Sequence, residues 1–159
     1  MSQNTLESPQ DLLRFQLRTA MTMEDDSLAA VTELAQAARA ADIKKLFRHH
    51  ADETKQQIEN LRTVFGLLEI PESTAPSPST KGISKQAKST LARSTAKLHD
   101  QVALSAALGN EHYEISAYQA LILAVGAKDA EAARLLQENL DQEVHTSEEL
   151  LSRLRELAG

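Results

Sequence analysis

The stretch Leu104–Val125, LSAALGNEHYEISAYQALILAV, is apolar at both ends and carries two glutamates inside its apolar stripe. Read at helical spacing, Leu104 and Leu108 lead to Glu111 and Glu114, and then to Tyr118, Ile122 and Val125. A core-facing position ordinarily takes an aliphatic side chain. A carboxylate placed there loses its hydration and needs a partner or a proton.

The same substitution recurs in three other helical segments. Positions 17, 21, 24, 28 and 31 form one stripe, and position 24 is Glu. Leu136, Leu140, Glu143, Ser147, Leu150 and Leu154 form another, so Glu143 also replaces an apolar residue. Between apolar ends, His50, Glu53 and Gln57 interrupt a third. Glu24 and Glu53 are separated by 29 positions, as are Glu114 and Glu143, so the chain reads as two similar helical hairpins. That symmetry favours Glu114 over Glu111 as the partner of Glu143, because Glu111 matches Met21. Mid-helix positions of an antiparallel bundle meet at one height, and a pair of dications offsets four clustered carboxylates there.

Composition agrees with an all-α chain of one domain over 1–159. Glycine is scarce and tryptophan absent, while straight-chain helix formers dominate. The net charge of −6 gives no reason to expect nucleic acid or an anionic membrane as partner. There are no cysteines, which excludes disulfides and thiolate metal sites and suits a reducing compartment. Met1–Gln10 is polar and no long apolar run follows, so a cytoplasmic protein without membrane spans is expected.

Ser8-Pro9 signals a helix start. The pattern predicts helices over 9–40, 42–69, 84–126 and 128–157, with Asp42 capping the second. The third is a candidate for a break before Leu98. Residues 70–82 hold Pro71, Pro76 and Pro78 and form the linker. It is long enough to cross a bundle. A four-helix bundle with one long crossover, between helices 2 and 3, has ferritin-like connectivity.

Met23-Glu24, His50-Ala51-Asp52-Glu53-Thr54, Glu111-His112-Tyr113-Glu114-Ile115 and Leu140-Asp141-Gln142-Glu143 resemble the four signature segments of the YciE/YciF family. That is a ferritin-like group associated with bacterial stress responses. The resemblance runs from about Leu12 to Leu157. It implies a di-metal centre, often a homodimer, and an activity that is poorly defined. Two departures stand out. Ferritin-like sites usually carry Glu-x-x-His on helices 2 and 4, whereas Gln56 and Thr146 occupy those positions here. The family tends to place an acidic residue one turn after the fourth-helix glutamate, where this chain has Ser147.

The expected metal ligands are Glu24, His50, Glu53, Glu111, Glu114 and Glu143. Oxygen-rich ligation with one imidazole suits Fe or Mn. Glu53 and Glu143 would bridge two ions, Glu24 and Glu114 would cap them, and one ion alone is an alternative given the missing histidines. The function expected is a di-metal carboxylate protein acting on peroxide, oxygen or ferrous iron as substrate. A non-catalytic scaffold with a structural or vacant site is the alternative. His49, His112 and His145 fall off the inward faces, and Tyr118 faces inward one turn from Glu114. Lys81, Lys85, Lys88, Arg93 and Lys97 scatter around their helix and read as a solvated face. No helix follows Gly159, so a storage shell is not expected.

Overall fold

Ser8 and Asp11 build the first helix cap. In the computed structural model, which describes residues 5–159, helix α1 runs Pro9–Ala37. The Ser8 hydroxyl accepts from the Asp11 N–H at 3.1 Å, and Asp11 Oδ2 accepts from the Ser8 N–H at 3.1 Å. This reciprocal pair satisfies two donors that a helix start leaves open. The polar stretch Met1–Gln10 lies partly outside the described residues.

Helix α2, Ala41–Leu67, follows a tight turn. Asp42 is not its cap: the capping position is Ala40, with no side-chain bond. Asp42 sits in the first turn, where its charge suits the helix dipole, and it accepts from Arg153 Nε at 2.9 Å. The turn is closed from elsewhere. Asp100 accepts from the Arg39 N–H at 2.5 Å and the Ala40 N–H at 3.1 Å, while Lys44 Nζ donates to the Ala35 and Gln36 carbonyls.

The helix expected over 84–126 is two helices. Helix α3 is Pro78–Ala92; a single 3₁₀ turn, Ala96–Leu98, then leads into α4, His99–Val125. Pro78 starts α3, because at the first helical position its missing N–H costs nothing. The linker is correspondingly shorter and is strapped along α1. Thr22 Oγ1 donates to the Ala75 carbonyl at 2.6 Å, and the Ala75 N–H donates to the Arg18 carbonyl at 3.2 Å. Helix α5, Ala130–Ala158, completes the chain. Between α4 and α5, Gly126 has φ 54° and ψ −129°, a conformation that favours glycine.

Helices α1, α2, α5 and α4 form a closed ring in that order, and α3 lies outside it against α1 and α4. The Asp100 contact puts the start of α4 beside the α1–α2 turn, so the segment between α2 and α4 travels the length of the bundle. The apolar core is in two parts. One gathers Leu13, Leu17, Leu61, Phe65, Leu121 and Leu136; the other gathers Val31, Ile43, Phe47, Leu104 and Leu150. A buried polar layer separates them, and every helix of the ring contributes to it.

Candidate metal centre

Helical periodicity puts the polar layer in place. On α4 the buried series is Leu104, Ala107, Glu111, Glu114, Tyr118, Leu121 and Val125. On α2 it runs Phe47, His50, Thr54, Gln57, Leu61 and Val64. Each interruption is one or two turns long and has aliphatic or aromatic packing on either side. The apolar ends therefore fix the helix rotation, and the polar residues are carried inward with them.

His50, Glu111, Glu114 and Glu143 converge. Each offers a ligand atom, and these atoms lie within 4.8 Å of one another. His50 Nε2 is 2.6 Å from Glu111 Oε1. The four residues are at most 3% exposed. As carboxylates, both oxygens of Glu114, both of Glu143 and Oε2 of Glu111 find no donor among the described residues, and Nδ1 of His50 has no partner among them either. Buried polar atoms are normally paired, and leaving this many unpaired costs several kcal/mol. A cation at the centre of the group satisfies them together.

The electrostatics point the same way. Burial is the main reason that the carboxyls of Glu24, Glu114 and Glu143 titrate well above the ordinary glutamate range. The charge of Glu143 adds to the shift of Glu24 and of Glu114. Glu111 is pushed up to about 8, by burial first and then by the charges of Glu24 and Glu53, while the neighbouring Glu143 carboxyl acts against the shift. Without a cation these groups hold protons. A divalent ion displaces the protons and inverts that preference. Three carboxylates and one imidazole form a donor set that fits iron or manganese.

Glu24 is fully buried but stands outside the four-residue group, and Tyr118 donates to its Oε1. Its Oε2 is unpaired, and its charge acts on Glu114 and Glu111. Glu53 is not brought into the group. Its side chain is 17% exposed and lies 3.4 Å from His49 Nε2. The α2 stripe steps from His50 to Thr54, which leaves Glu53 at its edge. The hairpin symmetry therefore does not carry over in full: α2 presents His50 to the core, and α4 presents both Glu111 and Glu114. Thr146, where a second histidine would stand, is buried, and the Ser147 hydroxyl donates to the Val144 carbonyl. His49, His112 and His145 are exposed, as are Lys81, Lys85, Lys88, Arg93 and Lys97.

One part of the layer escaped sequence reasoning. Asn139 Nδ2 donates to the Tyr118 hydroxyl at 3.1 Å and to the Gln57 carbonyl at 3.2 Å. Asn60 Nδ2 donates to Asn139 Oδ1 at 2.8 Å. This network fixes the Tyr118 hydroxyl, which in turn orients Glu24. Gln57 bonds Gln142 rather than any carboxylate of the cluster. The signal for Asn139 was its position three after Leu136 and four before Glu143, on the same face.

A ring of four long helices with a full-length crossover and buried carboxylates at mid-height defines a ferritin-like protein. Residues 8–158 match the family described as a domain of unknown function, DUF892, and the chain belongs to that family. The structure is similar to that of YcfI from Rhodopseudomonas palustris, at 27% identity and a TM-score of 0.89, over 94% of this chain and 97% of that one. It is also similar to the E. coli stress protein YciF, at 24% identity and a TM-score of 0.90, over 96% and 98%. A two-domain protein from Anabaena variabilis, with DJ-1/ThiJ/PfpI-like and ferritin-like domains, matches at 23% identity and a TM-score of 0.65. The match spans 94% of this chain and 37% of that protein. These neighbours bear out the ferritin-like fold and the YciE/YciF resemblance. No curated protein matches the chain. Among the described residues, no helix is long and apolar enough to cross a membrane.

Proposed function

We propose that the protein is a non-haem metal carboxylate protein that binds one or two iron or manganese ions and acts on peroxide, dioxygen or ferrous iron under stress. The observation that carries this reading is the set of unpaired, buried ligand atoms on His50, Glu111, Glu114 and Glu143. Those four side chains would hold the first ion. Glu24 and Glu53 flank them and would complete a second position. A bound iron or manganese ion supplies Lewis acidity and one-electron redox chemistry. The protein's own contribution is to hold the carboxylates in a water-poor layer and to orient Glu24 through Tyr118. The stress setting comes from the family resemblance, YciF being a stress protein.

Homodimerisation belongs to the proposal as well, and comes from the family resemblance. A cytoplasmic location, which the cysteine-free composition suits, belongs to it too. The scaffold reading keeps one observation of its own: Gln56 and Thr146 stand where the usual histidines would. Loading purified protein with ferrous iron or Mn(II) and following peroxide consumption and ferrous oxidation separates the two. Turnover that disappears in Glu143→Ala supports the enzyme. Stoichiometric metal without turnover supports the scaffold.

A further inference from the structure

We propose that the narrow apolar cavity beneath α3 binds a small uncharged molecule, of the size of dioxygen or hydrogen peroxide, and delivers it to the His50–Glu111 side of the metal centre. This rests on the metal-binding reading above. The cavity measures about 40 Å³, room for a few water molecules. Val31 and Leu34 of α1, Ile83, Ala87 and Leu91 of α3, and Ala107 of α4 line it. His50 and Glu111 line it as well, and it is therefore continuous with the polar layer. Both are nine-tenths buried or more, and His50 Nδ1 and Glu111 Oε2 have no partner.

Chemistry selects the ligand class. The walls are mainly apolar, and Asn110 is spent on the Ser27 hydroxyl at 3.1 Å, so little repays an ion's lost hydration. The charged residues that line the cavity are paired: Asp26 Oδ1 lies 2.7 Å from Lys81 Nζ, and Glu33 Oε1 lies 3.4 Å from Lys88 Nζ. Paired charges leave little field to draw an ion inward. The opposite, α2–α5 face differs, because Glu53 and Asp141 border an open depression there, beside an Arg134–Glu138 pair at 3.2 Å. Cations have an acidic approach on that side, and neutral molecules an apolar one under α3. The roof is lightly held. Thr80 is the only buried residue of α3, and its hydroxyl donates to Asp26 Oδ2 at 2.8 Å.

The test fills the cavity from two half-buried positions, Ala87→Leu on α3 and, separately, Ala30→Leu on α1. Metal-free crystals of the wild type under xenon pressure should show xenon in the cavity, and crystals of the variants should not. Ferrous-loaded protein is then mixed anaerobically with nitric oxide, an uncharged surrogate for dioxygen. The association rate should fall about tenfold or more in both variants, with iron content and melting temperature unchanged. A wild-type cavity without xenon overturns the route and leaves the metal centre standing. So does a variant that excludes xenon yet takes up nitric oxide at the wild-type rate. A wild type that holds no iron overturns the metal reading and the route together, whatever the xenon result.

Discussion

Replacing Glu111 by glutamine removes a carboxyl that burial keeps protonated, and the metal-free protein should become more stable for it. Glu111 titrates at about 8 in the fold, against an ordinary 4.5. A group raised in this way contributes stability that is fully present below 4.5 and is lost as pH climbs to about 8. Each pH unit between the two values costs about 1.4 kcal/mol. The cost at pH 7 is therefore about 3 kcal/mol, and at pH 5 below about 1 kcal/mol. Glutamine keeps the shape and the polar contact to His50 without the charge. Urea unfolding in the presence of a chelator at pH 5, 6, 7 and 8 should show the wild type losing stability as pH rises. Glu24, Glu114 and Glu143 are shifted in the same direction and steepen the loss. Glu111→Gln should be more stable than the wild type at pH 7, by up to about 3 kcal/mol, and nearly equal to it at pH 5. For a chain of this length that corresponds to a rise of about 6–12 °C in melting temperature. Saturating Mn(II) should reverse the order, because the wild type gains more from the ion than the variant does. A metal-free wild type whose stability is flat or rises from pH 5 to pH 8 would refute the reasoning. So would a variant destabilised equally at every pH.

Three further outcomes follow from the same geometry. Glu143→Gln should abolish the stabilisation that metal gives in a melting assay, while Glu53→Gln keeps most of it, since only Glu143 belongs to the converged group; equal losses would contradict that placement. Tyr118→Phe strips a donor from Glu24 and a partner from Asn139, so chelated protein should lose about 1–3 kcal/mol in urea unfolding. Gly126→Ala forces a side chain into a backbone conformation that glycine alone tolerates, and should cost about 1–3 kcal/mol with metal binding unchanged.

The bundle was legible because its four ring helices each carry a continuous apolar stripe, and the Ser8 cap and the proline cluster punctuate them. Glu24, Glu114 and Glu143 were legible for the same reason, since each stands where its stripe otherwise takes an apolar residue. Helix α3 was not. It buries only Thr80, so it has no stripe to announce it, and Pro78 reads as a breaker until its place at the first helical position is known. Glu53 and His50 are three residues apart and share a broad face, so spacing alone could not decide which one turns inward. The apolar rotation set by Phe47 and Leu61 decides it. Asn60 and Asn139 lie beside apolar residues of their helices, but nothing in the sequence pairs them. Their role emerges only when α2 and α5 bring them within 2.8 Å of each other.

Whether the polar layer is a metal centre is best settled by elemental analysis of protein purified without chelator, paired with melting curves before and after adding Fe(II) or Mn(II). About one or two bound ions per chain are expected, with a rise in melting temperature on adding either metal to stripped protein. Near-zero iron and manganese, with melting unmoved by both, would contradict the metal reading.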